Sequence, residues 1–279
     1  MAFLSHASDG APEKRLVYRH TLWVRIAHWV NAGVLLIMLM SGLQIFNAHP
    51  ALYWGKTSDF DRPIFSMQAF RKADGGIKGV TQIGPVRIDT TGVFGASEIF
   101  GEIVPRGFPA WATLPSFQSL ASGRQWHFFF AWLFVFNGLA FAAYAFISRH
   151  FNRDLLPKKR DLQNLGKDIV DHLRLRFAKG EEALHYNVLQ KLAYFTVIFI
   201  LGPLIVLTGL TMSPSLDSAF PGLLFVFGGR QSARTIHFLC ASGFVLFFIV
   251  HMVMVILSGP LNNLRAIITG RYGIEVDNG

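Results

Sequence analysis

The sequence predicts an all-α membrane protein, a four-transmembrane-helix bundle with a long periplasmic loop and a cytoplasmic amphipathic helix. Three observations predict it. The 279 residues are 52% hydrophobic and only 15% charged, whereas soluble domains are about one quarter charged. Four stretches, about 26–46, 127–147, 192–212 and 236–257, are nearly free of charge and reach the roughly 20 apolar residues that a bilayer crossing takes. Aromatic residues make up 14%, with 27 Phe, a level that suits lipid-facing helices and the walls of a flat apolar cofactor. The spans are expected to be helices because a helix satisfies its own backbone in lipid.

The first twenty residues are polar and lack an apolar core followed by a small-residue cleavage site, so no cleaved signal peptide is expected. The first span opens near Ile26. Residues 47–123 follow, with turn signals such as Gly84-Pro85 and extended-looking pieces such as Val86-Arg87-Ile88. A connection this long is uncommon unless it has work to do, and a folded cap is expected there. The second span opens at His127. The next connection, 148–191, carries ten Lys and Arg from Arg149 to Lys191, whereas Ser213 to Ala233 carries only Arg230. Basic residues near spans stay inside, and long segments translocate largely regardless of charge. Both termini and the basic connection are therefore expected in the cytoplasm, and the cap on the outer face of the membrane. Within the basic connection Leu162, Leu165, Ile169, Leu173 and Phe177 recur at helical spacing. They predict an amphipathic helix, lying either on the membrane surface or against its own bundle.

No internal repeat marks a boundary, and residues 1–279 read as a single membrane domain. The net charge of +9 sits beside apolar runs, where it reports orientation rather than nucleic acid. Cys240 is the one cysteine. That excludes an intramolecular disulfide, a cysteine-ligated iron–sulfur cluster and a covalently attached haem within the chain.

Histidine in an apolar span is costly and asks for a reason. Of ten histidines, His28, His127, His237 and His251 lie in or at the edge of the spans. His237 and His251 are fourteen residues apart, a separation that returns to within roughly 40° on a helix and rises about 21 Å. The fourth span thus offers two imidazoles on one face at two depths. The expected topology sets His28 level with His251 and His127 level with His237. Zinc takes four ligands, and the spans hold no carboxylate or placed thiol to complete such a site or a proton relay. A haem iron needs two axial ligands, so two non-covalent haem b groups suit these pairs. His20 is a weaker alternative to His28.

Arg25, Arg124 and Arg234 each stand three residues before one of these histidines, on the same helix face. They are candidates for binding haem propionates, since arginine grips carboxylate bidentately. Each taken alone could be an ordinary helix-end anchor. Gly33, Gly42, Gly138, Gly209 and Gly243 could leave room for a porphyrin edge or for another helix.

Arg25-Ile26-Ala27-His28-Trp29, Arg124-Gln125-Trp126-His127-Phe128 and Arg234-Thr235-Ile236-His237-Phe238 through His251 resemble the bacterial cytochrome b561 family. That family includes di-haem cytochrome b subunits of hydrogenase, formate dehydrogenase and thiosulfate reductase. The resemblance covers all four spans and is weakest in the outer loop. It implies a membrane electron-transfer subunit linking the quinone pool to a periplasmic oxidoreductase, most often a molybdopterin enzyme. It also implies that His127 and His237 hold the haem nearest that partner, with His28 and His251 holding the inner haem, beside which quinone reacts in some relatives. No quinone-binding motif is legible. Alternatives are a self-sufficient superoxide/quinone membrane oxidoreductase, the cytochrome b subunit of a nickel–iron hydrogenase, and a transporter whose histidines handle protons or metal.

Overall fold

This computed structural model describes residues 13–99, 101–163, 165–174, 176, 180, 184–213, 218–220 and 222–276. In chain order its elements are β1 (Glu13–Tyr18), α1 (Leu22–Phe46), β2 (Ala51–Leu52), β3 (Phe65–Arg71), β4 (Ile77–Ile83), β5 (Val86–Asp89), β6 (Ala96–Ile99), β7 (Glu102–Pro105), α2 (Leu120–Ile147), α3 (Lys159–Gln163), α4 (Leu165–Leu173), α5 (Val188–Thr211), α6 (Gly222–Val226), α7 (Arg230–Leu257), α8 (Pro260–Thr269) and β8 (Arg271–Val276). Helices α1, α2, α5 and α7 are each long and apolar enough to cross a membrane. They begin four to seven residues before the stretches expected from apolarity alone, because charged residues interrupt those openings: Arg25 in α1, Arg124 in α2, Lys191 in α5, and Arg230 and Arg234 in α7. His28, His127 and His237 therefore sit about two turns inside their helices.

The expectation of an all-α chain is corrected. The described residues hold eight strands, in a four-stranded sheet and two two-stranded sheets. Most lie in 47–123, where short alternating runs are broken by Asp74-Gly75-Gly76 and Gly84-Pro85. Such runs suit half-buried strands, and such breaks suit tight turns.

The chain forms two compact units: Met1–His28, Phe141–Thr196 and Phe247–Gly279 make one, and Trp29–Ala140 with Val197–Leu246 the other. In the first, β1 pairs antiparallel with β8, Tyr18 facing Arg271, so the two flanks of the chain are tied together. Gly270 ends α8 with φ 83°. A Cβ there would stand 2.7 Å from the Tyr18 ring and 2.8 Å from the His20 carbonyl, so glycine lets the N-terminal flank cross this helix end. In the basic connection, Asp161 accepts from the Lys158 backbone at 2.9 Å and pairs with Lys191 at 2.8 Å. Asn187 and Gln190 form a reciprocal capping box that starts α5, satisfying two of the donors a helix start leaves open. Leu165 and Ile169 lie on α4, while Phe177, the last position of the expected amphipathic stripe, lies outside the described residues.

The second unit contains the cap. Its main sheet has the order β2-β3-β4-β5, all antiparallel, with Met67 opposite Thr81 and Thr81 opposite Ile88. The chain entering the β6–β7 hairpin packs so closely on β4 that a Cβ at Gly79 would fall 2.3 Å from the Phe94 carbonyl and 2.7 Å from Ala96 N. The cap is clamped to the start of α7. Gly55 O accepts from the Gln231 and Ser232 backbone at 3.1 and 3.2 Å. In return Gly55 N donates to Ser232 Oγ at 2.7 Å, and Thr235 Oγ1 donates to Tyr53 O at 2.7 Å. The bonds from Gln231 and Ser232 use N–H groups that the first helical turn cannot satisfy itself.

Burial is inverted relative to a water-soluble core. Large apolar side chains such as Leu139, Phe136 and Leu246 are more than 60% exposed, while Ser41, Gln44, Thr208 and Thr211 are buried to 2% or less. Lipid tails are as apolar as leucine, so buried packing here selects small and hydrogen-bonding residues instead.

Candidate functional site

Two of those buried polar residues, Ser41 and Thr208, lie against the spanning histidines His127 and His237. In the second unit the His127 and His237 rings face each other with centroids 6.1 Å apart. In the first unit His28 and His251 do the same at 6.3 Å. A metal–imidazole bond is about 2 Å, and an imidazole nitrogen stands about 1 Å from its ring centre, so two imidazoles sharing one iron have centres about 6 Å apart. Both pairs have that spacing. Among the described residues no group of three or more His, Cys, Asp or Glu is placed to hold a metal ion by side chains alone. Each pair offers two donors, the axial requirement of a haem iron and half of what structural zinc takes.

The His127–His237 pair is held from behind. His127 Nδ1 lies 3.1 Å from Met38 O and 3.2 Å from Ser41 Oγ. His237 Nδ1 lies 3.0 Å from Ile205 O and 3.2 Å from Thr208 Oγ1. A carbonyl only accepts, so Nδ1 of each ring carries the proton and donates. Nε2 is then left as the lone-pair nitrogen, the form in which imidazole ligates a metal. Glycine makes the approach possible. A Cβ at Gly42 would stand 3.3 Å from His127 Cε1, and one at Gly209 would stand 3.4 Å from His237 Cε1. On the side toward the cap, Phe46 packs against Phe238 at 4.9 Å, Phe108 at 5.7 Å and Phe65 at 6.2 Å.

Around His28 and His251 the surroundings are aromatic. Phe247, one turn before His251, stacks on it at 5.7 Å and 17°, and Tyr194 meets Phe247 edge-on at 6.2 Å. It is His28, and not His20, that stands opposite His251. Burial first, then the charges of Arg19, His28, His150 and Arg25, push His20 down to about 4. It is therefore a neutral neighbour at physiological pH.

The three arginines differ in their partners. Arg25 donates to the Ile268 carbonyl, in the last turn of α8, where helix carbonyls lack internal partners. Arg234 donates to the His49 carbonyl and lies 5.4 Å from the Phe46 ring centre. Arg124 is exposed, its guanidinium 5.5 Å from the Phe128 ring centre on its own helix. Among the described residues the guanidiniums thus meet carbonyls and ring faces rather than aspartate or glutamate.

The candidate glycines separate. Gly42 and Gly209 lie under imidazoles, Gly243 is a helix-packing glycine against Leu201 at 3.1 Å, and Gly33 and Gly138 have nothing within 4 Å of an added Cβ. Sequence reasoning missed Met38, Ser41, Ile205 and Thr208, and it missed Arg106. Arg106 is 3% exposed and donates to Phe108 O at 2.8 Å, Gln44 Oε1 at 3.1 Å and Thr113 Oγ1 at 2.5 Å. A signal for the first group was available: Met38-Leu39-Met40-Ser41-Gly42-Leu43 and Ile205-Val206-Leu207-Thr208-Gly209-Leu210 place a hydroxyl, a glycine and a leucine in register.

Residues 19–270 match the family described as prokaryotic cytochrome b561. A protein of Azospira oryzae, named as a candidate protein-methionine-sulfoxide reductase subunit, YedZ1, is 27% identical over 245 residues, covering 88% of this chain and 93% of that protein.

Proposed function

The chain belongs to the prokaryotic cytochrome b561 family, and from that premise we propose that it is the di-haem electron-transfer subunit of a membrane redox complex. As a multi-pass membrane haem protein of this type, its finer organisation is read as follows. One haem b sits between His127 and His237, and a second between His28 and His251. The observation that carries this reading is the pair of facing imidazoles at 6.1 and 6.3 Å. Arg25, Arg124 and Arg234 are the propionate-binding residues, since none is already neutralised by a carboxylate among the described residues.

Haem supplies reversible one-electron exchange at its iron. The protein's part is to present four imidazoles in two facing pairs, to exclude water with aromatic walls, and, for His127 and His237, to fix the ring planes through the Nδ1 bonds that leave Nε2 free to ligate. The termini and the basic connection face the cytoplasm. The antiparallel tie between β1 and β8 supports placing both chain ends on one side. The cap, 47–123, faces the periplasm as the docking surface for a redox partner. A relative named as a reductase subunit supports a partnered role, and a periplasmic molybdopterin oxidoreductase is the partner class proposed here. A haem held by His28 and His251 would be the one to exchange electrons with quinone.

Purified chain assayed by pyridine haemochrome should contain two b-type haems, and His237→Ala or His251→Ala should each leave one. A wild-type chain with one haem or none would overturn the reading.

A further inference from the structure

Helices α1 and α5 treat the His127–His237 pair identically, residue for residue. On α1 the carbonyl of Met38, the hydroxyl of Ser41 and the missing side chain of Gly42 face His127. On α5 the carbonyl of Ile205, the hydroxyl of Thr208 and the missing side chain of Gly209 face His237. The offsets are the same, three residues and then one. Both hydroxyls have their proton committed elsewhere, Ser41 to Ile37 O at 2.7 Å and Thr208 to Leu204 O at 2.8 Å. Each hydroxyl oxygen therefore turns a lone pair toward Nδ1 and shares the Nδ1 proton with the carbonyl. Both side chains are 0% exposed, so water does not compete for these bonds.

We infer that Ser41 and Thr208 are matched positioning residues that set the electron-donating strength of the two axial histidines at the His127–His237 haem, one acting on each face. The inference rests on the di-haem reading and adds to it a device for fixing one haem's potential. An acceptor behind Nδ1 makes the imidazole a stronger donor through Nε2. Stronger axial donation favours the oxidised iron, so these hydroxyls hold that haem's potential down. Removing either one raises the potential, and because the two act on separate ligands through separate helices, their effects add.

The test is a spectroelectrochemical titration of the full chain in detergent, with the His127–His237 wave assigned by its loss in His127→Ala. Ser41→Ala and Thr208→Val should each shift that wave upward by a threefold to tenfold change in its redox equilibrium, the upper figure being about 59 mV for one electron. The double variant should shift it by the sum, while the second wave stays in place. Ser41→Thr and Thr208→Ser keep the hydroxyl and should titrate as wild type, which guards against a merely misfolded variant. Ser242→Ala removes a hydroxyl bonded one turn back, to Phe238 O at 2.9 Å on α7, and should move neither wave. The inference fails if neither single variant moves the assigned wave, if both waves move equally, or if the two variants shift it in opposite directions. A wild-type chain lacking two b-type waves would instead sink the di-haem reading beneath it.

Discussion

Replacing Gly42 by alanine tests how closely α1 is fitted to the His127 ring. The added methyl would stand 3.3 Å from Cε1 and 3.5 Å from Nδ1 of His127. The imidazole cannot give way freely, because Nδ1 is anchored at 3.1 Å to Met38 O on the same helix. Overpacking of this kind costs about 1–3 kcal/mol. Against it stands the gain of about 1 kcal/mol on replacing an interior helical glycine with alanine. The net expectation is a loss of about 1 kcal/mol, whereas Gly33→Ala, with nothing within 4 Å on the same helix, should show the gain alone. The two variants should therefore differ by about 2 kcal/mol. Gly209→Ala, at 3.4 and 3.7 Å from His237, should fall between them. Gly243→Ala meets a flexible leucine end at 3.1 Å and should cost less than Gly42→Ala. Thermal unfolding in detergent, followed by haem absorbance and by helical circular dichroism together, reads this order. Gly42→Ala as stable as Gly33→Ala would refute the close fit between α1 and the imidazole.

Arg106→Lys keeps the charge but loses the fork that serves Phe108 O, Gln44 and Thr113 together. With buried acceptors left short, it should destabilise the cap by about 2–3 kcal/mol, seen as faster proteolysis within 47–123, and unchanged cleavage would count against that role. Hydrogen bonds from Lys191 first, and then from the Lys158 backbone, hold the Asp161 carboxyl below the ordinary carboxylate range. A folded value below the unfolded one stabilises the fold above about 3.9, and this contribution is lost as pH falls through the lowered value. Asp161→Asn should abolish that acid dependence in thermal melts while costing less than about 1 kcal/mol at neutral pH. Identical acid profiles for the two proteins would contradict the assignment.

The spans and their paired histidines were legible because both signals are local. Twenty apolar residues and a histidine among them can be counted, and α-helical periodicity then fixes which residues share a face. The strands of 47–123 were only half legible. Val86-Arg87-Ile88 looked extended and lies in β5, but pairing is a contact between distant residues, and no short-range pattern names the partner. Arg106 was invisible for a similar reason: its acceptors Gln44 and Thr113 are 62 and 7 residues away. Ser41 and Thr208 were hidden differently. Serine and threonine in a lipid-spanning helix bond their own backbone one turn back, which is an adequate account of each until the facing imidazole is seen.

The number of helices follows from this division of labour. Only α1, α2 and α7 carry the paired histidines, yet α5 crosses as well and contributes no imidazole to either pair. An imidazole on a helix surface can rotate about two side-chain bonds, and that freedom must be removed before two rings can meet one iron in a fixed geometry. A hydrogen bond to Nδ1 removes it, and in a membrane interior the acceptor must come from protein because water is absent. His237 takes its acceptor from α5, and His127 takes its acceptor from α1. Helix α1 thus supplies an imidazole, His28, to one pair and an acceptor turn to the other. The His127–His237 pair therefore engages four helical segments, two carrying the imidazoles and two fixing the rings from behind.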